Sequence, residues 1–142
     1  MVRRSFIIIS MNQSIFKAYD VRGRYPNELN DDAAFEIGVA LGKHWEQGLV
    51  LVAHDARLSS PALYEAVKNG LSKNSELQIE RIGLATSPMF YYLANRLKAV
   101  GGIMITASHN PKEYNGLKVV GSKAEVMSGE EIWNIFQSTP IS

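Results

Sequence analysis

Apolar positions along the chain alternate between the 3.6-residue spacing of amphipathic helices and the short unbroken runs of buried strands. Helical spacing covers residues 31–46, for which Asn30 is the expected N-cap, and it returns after positions 59–61 and 87–88. These two sites read Ser-Ser-Pro and Ser-Pro, and a serine followed by proline is typical of a helix start. The inner faces of the three helices are expected to hold Ala34, Ile37, Gly38, Leu41 and Trp45, then Leu63, Val67, Gly70 and Leu71, then Phe90, Leu93, Ala94 and Leu97.

Short apolar or extended segments separate these helices and predict strands. They cover residues 49–53 and 77–84 on either side of the second helix, and residues 102–106 and 117–120 after the third. A last helix is expected over residues 130–136. Strands that alternate with helices indicate βαβ crossovers and parallel pairing. We therefore predict an α/β domain of three α/β/α layers, with helices on both faces of a mixed, mainly parallel β-sheet.

The composition of the 142 residues narrows the classes of function. Hydrophobic residues make up 46% and charged residues 20%, which excludes a disordered chain. The net charge of +1 gives no reason to expect nucleic acid or an anionic membrane as a partner. No cysteine is present, so disulfides, thiolate zinc sites and a cysteine nucleophile are excluded, and we expect a cytoplasmic location.

The start of the chain carries a four-residue apolar run, Phe-Ile-Ile-Ile, at positions 6–9. This run is too short for a signal peptide and far too short to span a bilayer. We expect either that Met11 is the natural start or that residues 1–13 are an arm or an upstream extension. The domain itself is expected to cover residues 14–142.

The segment at 106–111, Thr-Ala-Ser-His-Asn-Pro, leaves a predicted strand and concentrates polar groups. In sheets of this kind, reactive groups gather in loops beyond the carboxyl ends of the strands. Pro111 disfavours helix at Asn110, so we expect a sharp exposed turn with Ser108 at or near its tip. The alternative is an ordinary polar turn whose side chains satisfy local backbone groups.

A cationic side chain close to this turn favours phosphate chemistry. Residues 114–116, Tyr-Asn-Gly, form a second turn signal, which would bring Lys118 back on a strand beside the loop. Ser108, with His109 and Lys118 nearby, is then a nucleophile or phosphate carrier with proton-transfer and cationic partners. A phosphoserine needs such partners, and Lys118 and the N–H groups of the turn can supply them.

Two further polar segments add candidates. Residues 16–23 contain Asp20 and Arg22, which form either a surface ion pair or, through the guanidinium of Arg22, a fork that binds phosphate. Asp55 and Arg57 follow another predicted strand, so they belong at the same edge of the sheet as the serine turn. We expect them to brace neighbouring loops.

Together these segments resemble the α-D-phosphohexomutase superfamily, and most closely its phosphomannomutase/phosphoglucomutase branch. The motifs lie at 16–23 (Phe-Lys-Ala-Tyr-Asp-Val-Arg-Gly), 54–59 (His-Asp-Ala-Arg-Leu-Ser), 106–111 and 114–118 (Tyr-Asn-Gly-Leu-Lys). The resemblance spans roughly residues 14–137. It implies the first, serine-bearing domain (domain I) of a four-domain enzyme, with domains II–IV absent from this chain.

The resemblance also implies a reaction. A phosphoryl group moves between the C1 and C6 oxygens of mannose or glucose phosphates, through a hexose 1,6-bisphosphate that reorients in the site. Ser108 would carry the phosphoryl group, and Mg²⁺ would bridge its phosphate to aspartates of domain II. The implied catalytic residues are Ser108, His109 and Lys118, and the implied residues of the phosphate site are Tyr19, Arg22 and Asn110.

The chain has four aspartates, and none of them lies in the Asp-Gly-Asp-x-Asp segment that binds magnesium in the family. We therefore expect the chain alone to be inactive as a mutase. Two alternatives stay open: a stand-alone sugar-phosphate-binding or regulatory module with the same fold, and a phosphatase that uses Ser108 as a transient nucleophile. The preference between mannose and glucose phosphates depends on a family segment that this chain does not contain.

Overall fold

A five-stranded sheet organises the computed structural model, which describes residues 11–139. The strands are β1 (Val21–Arg24), β2 (Gly48–His54), β3 (Leu77–Leu84), β4 (Gly101–Ile105) and β5 (Tyr114–Val120). Their order across the sheet is β1-β5-β4-β2-β3. β2 pairs in parallel with β3 and β4, whereas β5 is antiparallel to β4 and to β1. All strands except β5 therefore run in one direction, which confirms the mixed, mainly parallel sheet.

Helices cover both faces of this sheet. They are α1 (Asp31–Trp45), α2 (Ser60–Leu71), α3 (Ser87–Arg96) and α4 (Gly129–Ser138). α1, α2 and α4 pack on one face, in a core cluster that includes Ile37, Leu63 and Ile132. α3 packs on the other face through Phe90 and Ala94, so the predicted three α/β/α layers are confirmed. Within residues 11–139, none of the helices combines the length and the hydropathy needed to cross a bilayer.

The starts of α1 and α3 follow from local sequence. The side chain of Asn30 accepts a hydrogen bond from the Ala33 N–H at 2.8 Å, so Asn30 is the N-cap of α1, as predicted. α3 differs from the expectation by one residue. Thr86 is its N-cap and accepts from the Met89 N–H at 3.2 Å, which places Ser87 inside the helix.

Two predictions about segment ends are wrong. Leu97, expected on the inner face of α3, lies after the helix and is 43% exposed, because the next residue is left-handed and turns the chain away. The Tyr-Asn-Gly run at 114–116 is not a turn but the start of β5. The turn comes earlier, where the Tyr114 N–H donates to the Pro111 carbonyl at 3.0 Å. The asparagine of this run is fully buried and bonds within the domain instead of closing a turn.

α1 and α2 approach closely at a pair of glycines, Gly38 and Gly70. A Cβ atom at Gly38 would lie 2.7 Å from the carbonyl oxygen of Val67, which is closer than side chains tolerate. The absence of side chains at both positions therefore allows the two helices to pack backbone against backbone.

The predicted N-terminal arm, residues 1–13, lies mostly outside the described residues. Of this arm, Met11 packs against the core, and Gln13 begins a short 3₁₀ turn (Gln13–Ile15) that buries Ile15. The choice between Met11 and Met1 as the natural start stays a prediction.

Candidate functional site

Ser108 lies at the exposed tip of the turn between β4 and β5, as the sequence predicted. Its φ angle of 56° is left-handed, which is uncommon for a residue with a side chain. Its N–H donates to Thr106 Oγ1 at 3.0 Å. Asn110 closes the turn, because its N–H and its Nδ2 donate to the Ala107 carbonyl at 3.1 and 2.8 Å. The serine hydroxyl is thus presented to solvent by a tightly bonded turn.

The guanidinium of Arg57 holds this turn through its carbonyl groups. Nη1 donates to the carbonyl oxygens of Pro111 and Tyr114 at 2.8 and 3.1 Å. Nη2 donates to those of Ser108 and Asn110, both at 2.8 Å. Four carbonyl oxygens of the serine turn and its exit therefore converge on one side chain. The expected bracing role of Arg57 is confirmed.

The carboxylate of Asp55 holds the side chain of Arg57 in place. Its Oδ2 lies 3.4 Å from Arg57 Nε, and its Oδ1 accepts from the Arg57 N–H at 3.1 Å. Oδ1 also accepts from the Ser60 hydroxyl at 2.5 Å. The Ser60 hydroxyl accepts from Asn115 Nδ2 at 3.0 Å, which closes a network between the start of α2 and β5.

The predicted start of α2 at the Ser-Ser-Pro site is confirmed, but no side-chain cap forms there. Ser59 occupies the N-cap position, but its φ and ψ angles of −81° and −10° are helical and its side chain makes no capping bond. Its hydroxyl instead accepts from Asn115 Nδ2 at 2.7 Å. The demand of the buried amide for an acceptor therefore outweighs the local capping preference.

Lys118 lies on β5, opposite Met104 of β4, and faces a buried carboxylate. Its Nζ is 3.6 Å from Oδ2 of Asp20, which is only 3% exposed. The surface pair between Asp20 and Arg22 that the sequence allowed is therefore wrong, because a buried carboxylate needs a close cation and Lys118 provides it. Burial and then the charge of Asp20 raise the pKa of Tyr91 above its ordinary value.

Arg22 shares a face of the sheet with Lys118. It pairs directly with Gly116 of β5, and paired residues, like residues two apart on one strand, point to the same side. The carbonyl of Gly116 accepts from the Thr106 N–H at 2.9 Å, at the point where the serine turn begins. Two cationic side chains therefore lie on the strands that border the turn.

Tyr19 and His109, the other predicted site residues, are both exposed, and Tyr19 is 75% exposed. Tyr19 directly precedes the buried Asp20, and His109 directly follows Ser108. The structure thus gathers Ser108, Asn110 and the backbone of the turn through Arg57. The side chains of Tyr19 and His109 lie on the surface.

The chain's own residues do not fit a complete magnesium site. Mg²⁺ requires a near-octahedral set of oxygens, and the two aspartates near the turn already have partners. Asp55 binds Arg57, and Asp20 binds Lys118. Among residues 11–139, no three His, Asp or Glu side chains are grouped to hold a metal ion.

A mixed sheet between helices, with a serine turn at the carboxyl edge, defines a phosphohexomutase domain I fold. Residues 13–140 match the family described as "Phosphoglucomutase/phosphomannomutase, alpha/beta/alpha domain I". The chain belongs to this family.

Relatives of known name agree with this assignment. The chain is 49% identical over 120 residues to "Phosphohexose mutases" of Xanthomonas campestris pv. campestris (strain B100), covering 84% of this chain and 27% of the relative. It is 42% identical over 115 residues to a phosphomannomutase of Klebsiella pneumoniae, and the match covers 81% of this chain and 73% of that relative. The chain also resembles the crystal structure of a phosphoglucomutase/phosphomannomutase family protein of Burkholderia thailandensis, with a TM-score of 0.78 and 33% sequence identity. This structural match covers 89% of this chain and 30% of the Burkholderia chain. The chain thus spans about a quarter of the Xanthomonas relative.

Sequence reasoning missed the roles of Asp20 and Asn115. Asp20 immediately precedes β1, a four-residue strand that the apolar pattern did not predict. Asn115 lies in what reads as a turn. A signal for Asn115 was available in the two-residue period of a strand, which places Lys118 and Asn115 on opposite faces.

Proposed function

We propose that this chain is the domain of a phosphomannomutase/phosphoglucomutase that carries the phosphoserine, with residues 14–142 as domain I. The enzyme interconverts hexose 1-phosphate and hexose 6-phosphate of mannose or glucose, through a hexose 1,6-bisphosphate intermediate. The observation that carries this proposal is the exposed, left-handed Ser108 in a turn held by Arg57. The names of the relatives support it.

In the forward half-reaction a hydroxyl oxygen of the sugar phosphate attacks the phosphorus atom of phosphorylated Ser108. The new P–O bond forms as the bond between phosphorus and Oγ breaks. The sugar hydroxyl gives up its proton, and Oγ takes one. The resulting bisphosphate reorients, and Oγ then attacks its other phosphate in the reverse sense. The whole reaction is balanced without an external phosphoryl donor.

The charge that builds up during transfer is met by groups around the turn. Lys118 and Arg22 supply positive charge from the sheet, and His109 and Lys118 assist proton transfer. Asn110 keeps the turn closed through its bonds to Ala107. Tyr19 and the backbone N–H groups of the turn complete the phosphate site.

The chain by itself is expected to lack mutase activity. Residues 11–139 hold no group of three metal-ligating side chains, and the Xanthomonas relative is matched over only 27% of its length. We infer that the magnesium-binding aspartates and the sugar-selecting segment lie in domains II–IV. Phosphoryl transfer depends on such charge neutralisation and positioning.

A chimera tests this function. The chain replaces the matching 120 residues of the Xanthomonas relative, and conversion of glucose 1-phosphate and mannose 1-phosphate is measured with Mg²⁺ and hexose 1,6-bisphosphate. We expect turnover that falls by at least about 10³-fold in Ser108→Ala, since loss of a covalent carrier removes the reaction path. The matched control is Ser75→Ala, at another exposed serine, which should keep full activity.

Two results would contradict the proposal. The first is equal turnover of the Ser108→Ala chimera and its parent. The second is hydrolysis of a generic phosphate ester by the isolated chain that depends on Ser108, which would favour the phosphatase alternative. Binding of glucose 1-phosphate with no turnover in the chimera would favour a sugar-phosphate-binding module.

A further inference from the structure

We propose that Arg57 is a positioning residue that sets the direction of the peptide groups around Ser108, so that backbone N–H groups face a phosphate carried there. The inference rests on the proposed function of Ser108. It concerns a side chain that touches neither the phosphoryl group nor the sugar, and that acts through the backbone of the turn.

The donors of Arg57 are fully used inside the protein. A guanidinium has five N–H groups. Those of Nη1 and Nη2 meet four carbonyl oxygens at 2.8 to 3.1 Å, and Nε faces Asp55 Oδ2 at 3.4 Å. The side chain is also only 13% exposed. Arginine often binds phosphate by its fork, but here the fork is committed to the turn. Arg57 is therefore not a phosphate ligand.

The hydrogen bonds from Arg57 to the carbonyl groups fix the direction of the N–H groups in the same peptide units. In a trans peptide the C=O of one residue and the N–H of the next point in opposite directions. The Ser108 carbonyl faces Arg57, so the His109 N–H points away from it. The same holds for the Pro111 carbonyl and the Lys112 N–H. Both peptide bonds are trans.

These two N–H groups are available to a ligand. Within residues 11–139, neither the His109 N–H nor the Lys112 N–H has a protein acceptor. Backbone N–H groups that point outward from a turn can line an anion-binding concavity. Such a concavity beside Ser108 would bind the oxygens of a phosphate on that serine. Arg57 therefore shapes an anion site whose surface consists of other residues.

Lysine cannot replace Arg57 in this role. Lysine keeps the positive charge but has three donors at one point, and it cannot span carbonyl groups on both sides of the turn. A role that depended on charge alone would survive Arg57→Lys. The proposed role would not, and this difference makes the conservative variant the decisive one.

Nuclear magnetic resonance of the full chain tests the proposal directly. The three-bond HN–Hα coupling and the Cα and Cβ shifts of Ser108 report its φ angle, and the His109 and Lys112 amide shifts report binding of inorganic phosphate. We expect Arg57→Lys and Arg57→Met to lose the left-handed signature of Ser108. We also expect them to weaken the phosphate response by at least about tenfold, as for loss of a charge-assisted site.

Matched variants separate this effect from general damage. Arg81→Lys, at an exposed arginine paired with Glu65, should leave both signals unchanged. Asp55→Asn keeps the guanidinium but weakens its anchor, and it should shift the Ser108 signals partway. If Arg57→Met fails to fold, Arg57→Lys and Asp55→Asn still decide the matter.

The proposal is overturned if Arg57→Lys keeps the Ser108 coupling and the phosphate response of the parent.

In the chimera, Arg57→Lys is expected to lower kcat by about 10²-fold, as for a misplaced reacting group, with a much smaller change in KM. The nuclear magnetic resonance measurements on the chain do not depend on mutase activity. An inactive chimera with an Arg57-dependent turn would therefore refute the proposed function and leave the positioning role standing.

Discussion

The ammonium group of Lys118, on β5, lies 3.6 Å from the carboxylate of Asp20, the residue just before the antiparallel edge strand β1. The carboxylate is almost wholly buried, whereas the lysine keeps 22% of its side chain exposed. The ammonium group of Lys118 is thus held by a fixed negative charge, while part of its side chain remains exposed.

This pair predicts an asymmetric response to mutation. Lys118→Met leaves the charge of Asp20 buried without its cation and should lower the free energy of unfolding by about 2 kcal/mol. This loss is smaller than for a fully buried ion pair, because the side chain of Lys118 is partly exposed. The double variant Asp20→Asn/Lys118→Met should recover most of that loss. Urea unfolding of the single and double variants measures both effects. Additive losses would show that the two groups do not interact.

The left-handed backbone of Ser108 predicts a gain in stability from glycine. A side chain at φ of 56° costs about 1 kcal/mol, which glycine does not incur. Ser108→Gly should therefore raise the free energy of unfolding by roughly that amount, whereas Ser108→Ala should not. Chemical denaturation distinguishes the two. Equal stabilities for Gly and Ala would mean that the turn is not left-handed at this position in solution.

Tyr25 predicts a change of stability at high pH. Burial, the hydrogen bond from its hydroxyl to Asp31 Oδ1 at 2.8 Å and the charge of Asp31 raise the pKa of Tyr25 to about 12. The folded protein thus holds a proton that the unfolded chain loses near pH 10. The contribution of Tyr25 to the free energy of unfolding is therefore fully present below about pH 10, and it is lost as the pH rises toward about 12.

Ultraviolet titration of the phenol groups, with Tyr25→Phe as the reference, measures this pKa. Asp31→Asn should lower the pKa only partway toward the ordinary value, because burial is the largest cause of the shift. An unchanged pKa in Asp31→Asn would mean that the carboxylate has no influence on Tyr25.

The contact between α1 and α2 predicts that Gly38→Ala destabilises the fold. Alanine normally favours a helix, but its Cβ would lie 2.7 Å from the Val67 carbonyl oxygen, and backbone cannot yield easily. We expect a loss of about 1–3 kcal/mol, as for overpacked cores. Gly121→Ala is the matched control, since a Cβ there meets nothing within 4 Å and should be close to neutral. Thermal unfolding of the two variants provides the comparison.

The elements that depend on near neighbours in sequence could be predicted. Asn30 caps α1 through a residue three positions away, and the tip of the serine turn is closed by Asn110 over the same separation. The buried strands β2 and β4 were visible as unbroken apolar runs. Local hydrogen-bonding preferences and hydrophobic spacing are properties of short segments, so one sequence contains enough information for them.

The contacts that form the site could not be predicted in the same way. Arg57 meets the Ser108 and Tyr114 carbonyls across 51 and 57 positions of the chain. Asn115 reaches Ser59 across 56 positions, and this long-range bond replaces both the local turn and the local cap. The position of both loops directly after predicted strands placed them at one edge of the sheet. Which donor meets which acceptor there depends on the register of the strands, which hydrophobic spacing alone leaves open.

The dependence of the serine turn on Arg57 has a consequence for protein engineering. Residues 106–114 cannot be grafted alone onto another scaffold with their shape intact, because four of their carbonyl oxygens bind a side chain from a different loop. The transferable unit is two loops, 54–60 and 106–115, together with the strands that set their spacing. Recombination between mutases should therefore preserve function best where both loops come from the same parent.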